Sequence, residues 1–398
     1  MTVGAEIPAA VTPRSTLWRV GLALSLCVLV LGSLHFARYD WTGLPLDRAP
    51  VTAERRISPD CLEHIRPYVT ESGRVIKPVV VDEQQYLALV QYYRGTPVSD
   101  LQVSCLYDPF TFRSGTSWIA HFLPFEEGLA LGLTNTAMLI LAVWLMLFTL
   151  RAQRASPRVV LAAGAMFTIA WNTLFFGTAV LVDSGVLAAL CLSWYLLAKN
   201  KPWLVLPVLF LGYPLKETMG IFVPVFLAWA WKEYREGRRS LVSAVAPAVA
   251  GAAVFVFGVA FWRQVMPESS AAWPVTPGFD LVEHNLGAVL SLVTFAIGVG
   301  PLLVPSVLRY RRMAASDGWF KALTNPAVVG VIMALGICFW SFITVDLTPR
   351  LFWIGFPFAT TLTAEWFSEG RPADWLAKLR IPPWLLPSAG KPSEPATS

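Results

Sequence analysis

Val81-Asp82-Glu83-Gln84-Gln85-Tyr86-Leu87-Ala88-Leu89-Val90-Gln91-Tyr92-Tyr93 lies in the longest polar region of an otherwise apolar chain. A β-branched run, Val79 to Val81, leads into two adjacent carboxylates. Tyr86, Leu89, Val90 and Tyr93 then recur at helical spacing, while Gln84, Gln85 and Gln91 fall elsewhere. The pattern predicts a short amphipathic helix on a membrane surface, with Asp82 and Glu83 at its N-terminal end. A plainer reading of the same pair is that Asp82 caps the helix and Glu83 favours its positive end.

Working outward, the composition sets the class. Hydrophobic residues make up 55% of 398 and charged residues 14%. Mean hydropathy is +0.56. A soluble chain carries roughly 25% charged residues. Several apolar runs approach or exceed the roughly 20 residues that cross a bilayer. The fold class is therefore an all-α polytopic membrane protein; a β-barrel would show short alternating segments instead. The net charge of +5 gives no reason to expect nucleic acid, because the basic residues flank the apolar runs, where they set topology.

About ten transmembrane helices fit, near 17–37, 128–150, 159–181, 184–198, 203–215, 218–231, 240–262, 285–308, 327–345 and 351–366. The first has basic residues before it but no convincing small-residue cleavage site after it, and reads as a retained anchor. Basic clusters recur on alternate sides: Arg14 and Arg19; Arg151, Arg154 and Arg158; Lys199 and Lys201; Lys232, Arg235, Arg238 and Arg239; Arg309, Arg311 and Arg312; Arg371, Lys378 and Arg380. By the positive-inside rule both termini are cytoplasmic, in an inner (plasma) membrane. Gly212, Pro214, Lys216 and Glu217 interrupt 203–231, which predicts a broken pair of helices walling a cavity.

Residues 1–366 are read as one transmembrane domain that includes a large extracytoplasmic loop, 38–127. Residues 367–398 form a cytoplasmic tail, partly disordered. The loop holds Cys61 and Cys105, which either pair across an oxidising compartment or remain free thiols. Cys27, Cys191 and Cys338 fall inside apolar runs and read as packing residues. Residues 116–127, with Trp118 and Phe122, suit the headgroup level.

On this topology Asp82, Glu83, Asp108, Arg113, Asp183, Lys216, Glu217, Asp346 and Arg350 all converge on the outer surface. Charges in a membrane are costly, and such convergence points to partners or a function. Each also has a structural reading. Asp183 with Ser184 would cap a helix. Lys216 and Glu217 would form a turn that snorkels to water. Asp346 and Arg350, four apart, would pair locally. The scattered histidines read as surface or packing residues, and Glu126 with Glu127 as the start of a helix.

The constellation suits transfer from a lipid-linked phosphosugar. A carboxylate takes the proton from an acceptor hydroxyl, and cations stabilise the leaving phosphate. Asp82 is the candidate base, with Glu83 next to it. Arg113, Lys216 and Arg350 are the candidates for the phosphate, and a single displacement inverts the anomeric centre.

Three stretches resemble the GT-C class of integral-membrane glycosyltransferases. The first is Asp82-Glu83-Gln84-Gln85-Tyr86, similar to an "Asp-x-x-x-Tyr" opening, with Asp108-Pro109-Phe110 and Arg113 downstream. The second is Asp183 at a helix start, followed by Lys216-Glu217 as a basic–acidic pair. The third is Asp346-Leu347-Thr348-Pro349-Arg350, similar to a late "Asp-x-x-x-Arg" turn. The resemblance spans roughly 17 to 366 and implies a polyprenyl-phosphate sugar donor, Asp82 as base, and a cell-envelope acceptor of unknown identity. It leaves a divalent metal possible, though no motif fixes a metal site. Two features depart from the pattern: there is no soluble domain after the last crossing, and Glu83 stands where Gly is common. Two other classes fit the same charges: a lipid or solute transporter or flippase, and a non-catalytic cell-envelope assembly factor. A transporter would favour polar residues at the midplane of pseudo-symmetric halves.

Overall fold

The computed structural model describes residues 13–37, 68–71, 73, 75–76, 81–103, 105–178, 181–269, 271–272, 277–344, 348–369 and 372. Asp346, Cys61 and nearly all of the tail beyond 367–369 lie outside the described residues. In chain order the elements begin with α1 (Arg14–Ala37), the antiparallel pair β1 (Tyr68–Val69) and β2 (Val75–Ile76), and α2 (Val81–Tyr93). Next come β3 (Tyr107–Asp108), α3 (Gly115–Ala120), α4 (Glu127–Ala152), α5 (Pro157–Ile169), α6 (Trp171–Phe176), α7 (Asp183–Ala198), α8 (Val205–Gly212), α9 (Phe222–Arg235) and α10 (Leu241–Val265). The chain continues with β4 (Ala271–Ala272), parallel to β3, then α11 (Phe279–Gly287), α12 (Val289–Asp317), α13 (Trp319–Leu323), α14 (Pro326–Thr344) and α15 (Phe356–Phe367).

This is an all-α membrane protein. Among the described residues, five helices are long and apolar enough to cross a bilayer: α1, α4, α10, α12 and α14. At 1.5 Å per residue, α4 with 26 residues exceeds the roughly 30 Å hydrocarbon core. The outermost helices are α10 and α12, whose most apolar windows are only 28% buried. Phe257, Val256 and Leu290 point outward from them. Apolar surface of this extent is matched by lipid, not water.

Interior packing depends on small residues. A Cβ on Gly330 of α14 would lie 2.3 Å from the Phe358 ring of α15, so the glycine allows the two helices their close approach. The largest core cluster joins α1, α4, α5, α7, α9, α14 and α15. A second, smaller cluster surrounds α2. In it Tyr86 to Val90 pack with Leu106, Tyr107 and Phe110, and with Leu131 and Leu181 of the bundle.

That second cluster corrects the expected amphipathic surface helix. Its limits, Val81–Tyr93, are those of the quoted stretch, but residues 83 to 91 are all buried. The glutamines go inside because their amides are satisfied there. Gln85 Nε2 donates to Cys105 O at 2.9 Å, and its Oε1 accepts from Tyr107 N at 3.3 Å. Gln91 Nε2 donates to Glu127 Oε1. Buried amides paired on both sides carry little desolvation cost. Cys105 is disulfide-bonded, while Cys27, Cys191 and Cys338 are free.

The predicted break after 203–212 is present. α8 ends at Gly212, Lys216 is extended with φ −171° and ψ 137°, and a 3-10 turn over Glu217–Ile221 leads into α9. Pro214 lacks an amide hydrogen and cannot continue the helix. The freed Pro214 carbonyl accepts from Gly115 N at 2.8 Å. A Cβ on Gly115 would lie 2.8 Å from that oxygen, so glycine is what lets the loop segment reach the broken helix.

Candidate functional site

The break, the start of α7, the 3-10 turn Pro349–Gly355 and α2 meet at one end of the bundle. Arg350 Nη2 donates to Asp82 Oδ2 at 2.7 Å, across 268 residues of sequence. Arg350 Nε lies 3.8 Å from Asp183 Oδ2, and Lys216 Nζ donates to Asp183 Oδ1. Asp82, Arg350, Asp183 and Lys216 thus form one chain of alternating charge. Beside it, Arg113 holds Glu217 with two hydrogen bonds, Nε to Oε2 at 2.7 Å and Nη2 to Oε1. A bidentate fork of this kind is the strong form of an arginine–carboxylate pair.

Tyr86 sits one helical turn after Asp82, on the same face of α2, and is fully buried. Burial pushes its hydroxyl up, and Arg113, Asp82, Asp183 and Arg350 all act on it. Asp82, Asp183 and Glu217 balance Arg113, Lys216 and Arg350, so the cluster is neutral as a whole. Exposure is graded along it: the side chains of Asp82 and Arg350 are 19% and 17% exposed, those of Asp183 and Lys216 3% and 8%. The Asp82–Arg350 end is thus the more solvent-accessible, and the Asp183–Lys216 end is buried.

Several local readings are corrected by this geometry. Asp183 does not cap α7; Val182 is the N-cap residue, and Asp183 faces Lys216. Ser184 donates to Gly177 O at 2.7 Å. Lys216 is buried and does not snorkel to water. Arg350 reaches α2 and α7, and the expected partner Asp346 lies outside the described residues. Glu83 is buried, at 1% exposed. Asp108 accepts from Thr111 Oγ1 at 2.7 Å, inside its own loop. The three cations expected to meet phosphate are each paired with a carboxylate. Arg350 Nε is buried and, at 3.8 Å from Asp183 Oδ2, makes no hydrogen bond.

Glu127 was read only as a helix start and proves to be an anchor. It accepts from Tyr68 OH at 3.5 Å and from Glu71 N at 3.1 Å, besides Gln91. The cap is Glu126, which accepts from Leu129 N at 2.9 Å. Arg94, just past α2, holds Glu71 at 2.8 Å and donates to Leu123 O and Phe125 O. These bonds fix α2 against the start of α4 and so fix Asp82. At the same end Arg263 of α10 lies over the Phe112 ring at 4.9 Å and donates to Tyr213 OH at 3.2 Å. Neither contact follows from sequence spacing. Among the described residues no three His, Cys, Asp or Glu side chains gather as a metal site.

The Arg113–Glu217 pair carries a pH prediction. Burial pushes the Glu217 carboxyl up, and the Arg113 guanidinium more than offsets this, holding it below the usual carboxylate range. A depressed carboxylate stabilises the fold above its unfolded pKa, and the contribution is lost as pH falls through the folded value. Thermal unfolding of wild type between pH 7 and pH 3 is expected to drop more steeply than that of Glu217→Gln. Parallel curves would remove Glu217 from the acid response.

Comparison with known proteins gives no match: no family model, no curated protein and no solved structure is similar to this chain. Any assignment of function therefore stands on the residues themselves.

Proposed function

We propose that the chain is an inverting GT-C-like glycosyltransferase that moves a sugar from a polyprenyl-phosphate donor to a cell-envelope acceptor. The observation that carries this reading is the Asp82–Arg350 pair: a solvent-reaching carboxylate and a guanidinium, brought together from opposite ends of the sequence at the edge of an apolar bundle. In this reading about ten passes cross the inner (plasma) membrane: α1, α4, α5, α7, α8, α9, α10, α12, α14 and α15. Residues 38–127 then form the extracytoplasmic loop and both termini are cytoplasmic, with the basic helix ends inside.

The donor phosphate competes with Asp82 for Arg350. Phosphate accepts two parallel hydrogen bonds from a guanidinium, and Arg350 Nε is the donor still unpaired. Once Arg350 turns to the phosphate, the Asp82 carboxylate is released to act as base. It takes the proton of the acceptor hydroxyl. The acceptor oxygen bonds to the anomeric carbon as the carbon–oxygen bond to phosphate breaks, and the electron pair leaves with the polyprenyl phosphate. Arg350 holds the charge that develops there, and Arg113 and Lys216 add to the local positive field. Asp183 and Glu217 keep those cations in place, and Asp108 has a supporting role in its loop, as Asp346, outside the described residues, does in this reading. A divalent metal is an optional addition to this scheme.

The test is the lipid that co-purifies. Mass spectrometry of purified wild type is expected to find a polyprenyl phosphate or its glycosylated form. Arg350→Ala should lower its occupancy at least tenfold. Bulk phospholipid alone in wild type, or undiminished polyprenyl phosphate in Arg350→Ala, would contradict the assignment of Arg350.

A further inference from the structure

The opposite end of the bundle holds two adjoining cavities of about 190 and 180 Å³ that the proposed transfer reaction does not use. Lys232, Asn325 and Glu365 line both. Most of the charge around them is matched. Arg309 holds Glu365 at 2.9 Å and Glu369 at 2.8 Å, and Lys321 holds Asp317 at 3.2 Å. Arg238 holds Glu233 at 2.6 Å and also pairs with Glu236, which lines the second cavity.

Two of the lining cations stand outside these pairs. Lys232 and Arg235 stand one turn apart at the end of α9. Among the described residues neither has a carboxylate partner. Arg235 makes only a 3.4 Å bond to Thr324 Oγ1. Asn325 Oδ1 accepts from Ala327 N at 2.9 Å, which leaves its amide as a donor beside them. Each cavity is smaller than the roughly 300–1,000 Å³ of drug-sized ligand sites. A group of phosphate size fits. Two half-buried cations without ion-pair partners, one turn apart in a small polar cavity at a helix-bundle end, offer donors to an anion.

We infer that these cavities bind a phosphate group through Lys232 and Arg235, with Asn325 as a third donor. The phosphate comes either from an anionic lipid headgroup, as basic pockets between membrane helices take them, or from free phosphate.

The test uses the full chain in phosphatidylcholine nanodiscs, with the thermal unfolding midpoint as readout, because a ligand that binds only the native state raises it with concentration. One arm adds inorganic phosphate, the other increasing phosphatidylglycerol in the disc. A rise in the second arm alone assigns the site to lipid, and a rise with inorganic phosphate assigns it to the free ion. In either case Lys232→Gln with Arg235→Gln is expected to weaken the response at least tenfold. Arg311→Gln, at an exposed basic residue outside both cavities, should leave it unchanged. If the double variant does not fold, Lys232→Gln alone should weaken the response severalfold. No rise in either arm, an unaltered response in the cavity variants, or an equal loss in Arg311→Gln would overturn the inference.

Discussion

Asp82→Asn is expected to lower sugar transfer by about 10²–10⁴-fold, the usual contribution of a positioned general base, without lowering expression. Asparagine has the same shape and still offers an oxygen to Arg350 Nη2, so the 2.7 Å contact is conserved in outline. What disappears is the charge that accepts a proton. The neighbouring carboxylate is the control. Glu83 lies in the interior, on another side of α2, so Glu83→Gln should act through folding and not through turnover. Full activity in Asp82→Asn would remove Asp82 from the mechanism. Loss of turnover in a well-folded Glu83→Gln, with Asp82→Asn active, would move the base to Glu83.

The second large effect is on stability. Asp183→Asn is expected to destabilise the chain by about 3–5 kcal/mol, the cost of stranding one partner of a buried ion pair. Lys216 has its ammonium against Asp183 and little water to turn to. Arg350 loses its second carboxylate in the same variant. Replacing Lys216 as well, as Asp183→Asn with Lys216→Met, removes the stranded charge and should recover most of the loss, since apolar replacement of a buried pair is often neutral. Denaturant titration in mixed micelles measures both. A change under 1 kcal/mol in Asp183→Asn would mean that water or another group already serves Lys216.

Much of the architecture was legible from residues alone because it is set by local rules. The limits of α2 follow from a β-branched run, an acidic start and apolar spacing that runs to Tyr93, and the structure keeps them. The break between α8 and α9 follows from glycine and proline within five residues, and it is present. Asp82, Arg113, Asp183, Lys216, Glu217 and Arg350 do gather at one end, as a topology of alternating basic clusters implied. The pairing among them was not legible. Arg350 finds Asp82 from 268 residues away, and no spacing rule reaches that far. The local pair that the spacing of Asp346 and Arg350 suggested, stabilising a turn, involves a residue outside the described ones. The glutamines of α2 failed the polar-outside rule for a related reason. Periodicity ranks side chains by hydropathy and is blind to a carbonyl or carboxylate waiting in another segment.

The most direct measurement is of the product's anomeric configuration, by NMR, after the purified chain is incubated with a polyprenyl-phosphate sugar and membranes as the source of acceptor. A single displacement assisted by Asp82 and Arg350 predicts that donor is consumed and that the transferred sugar carries the configuration opposite to the donor's. A donor pool that stays intact, or a product that keeps the donor's configuration, would contradict it.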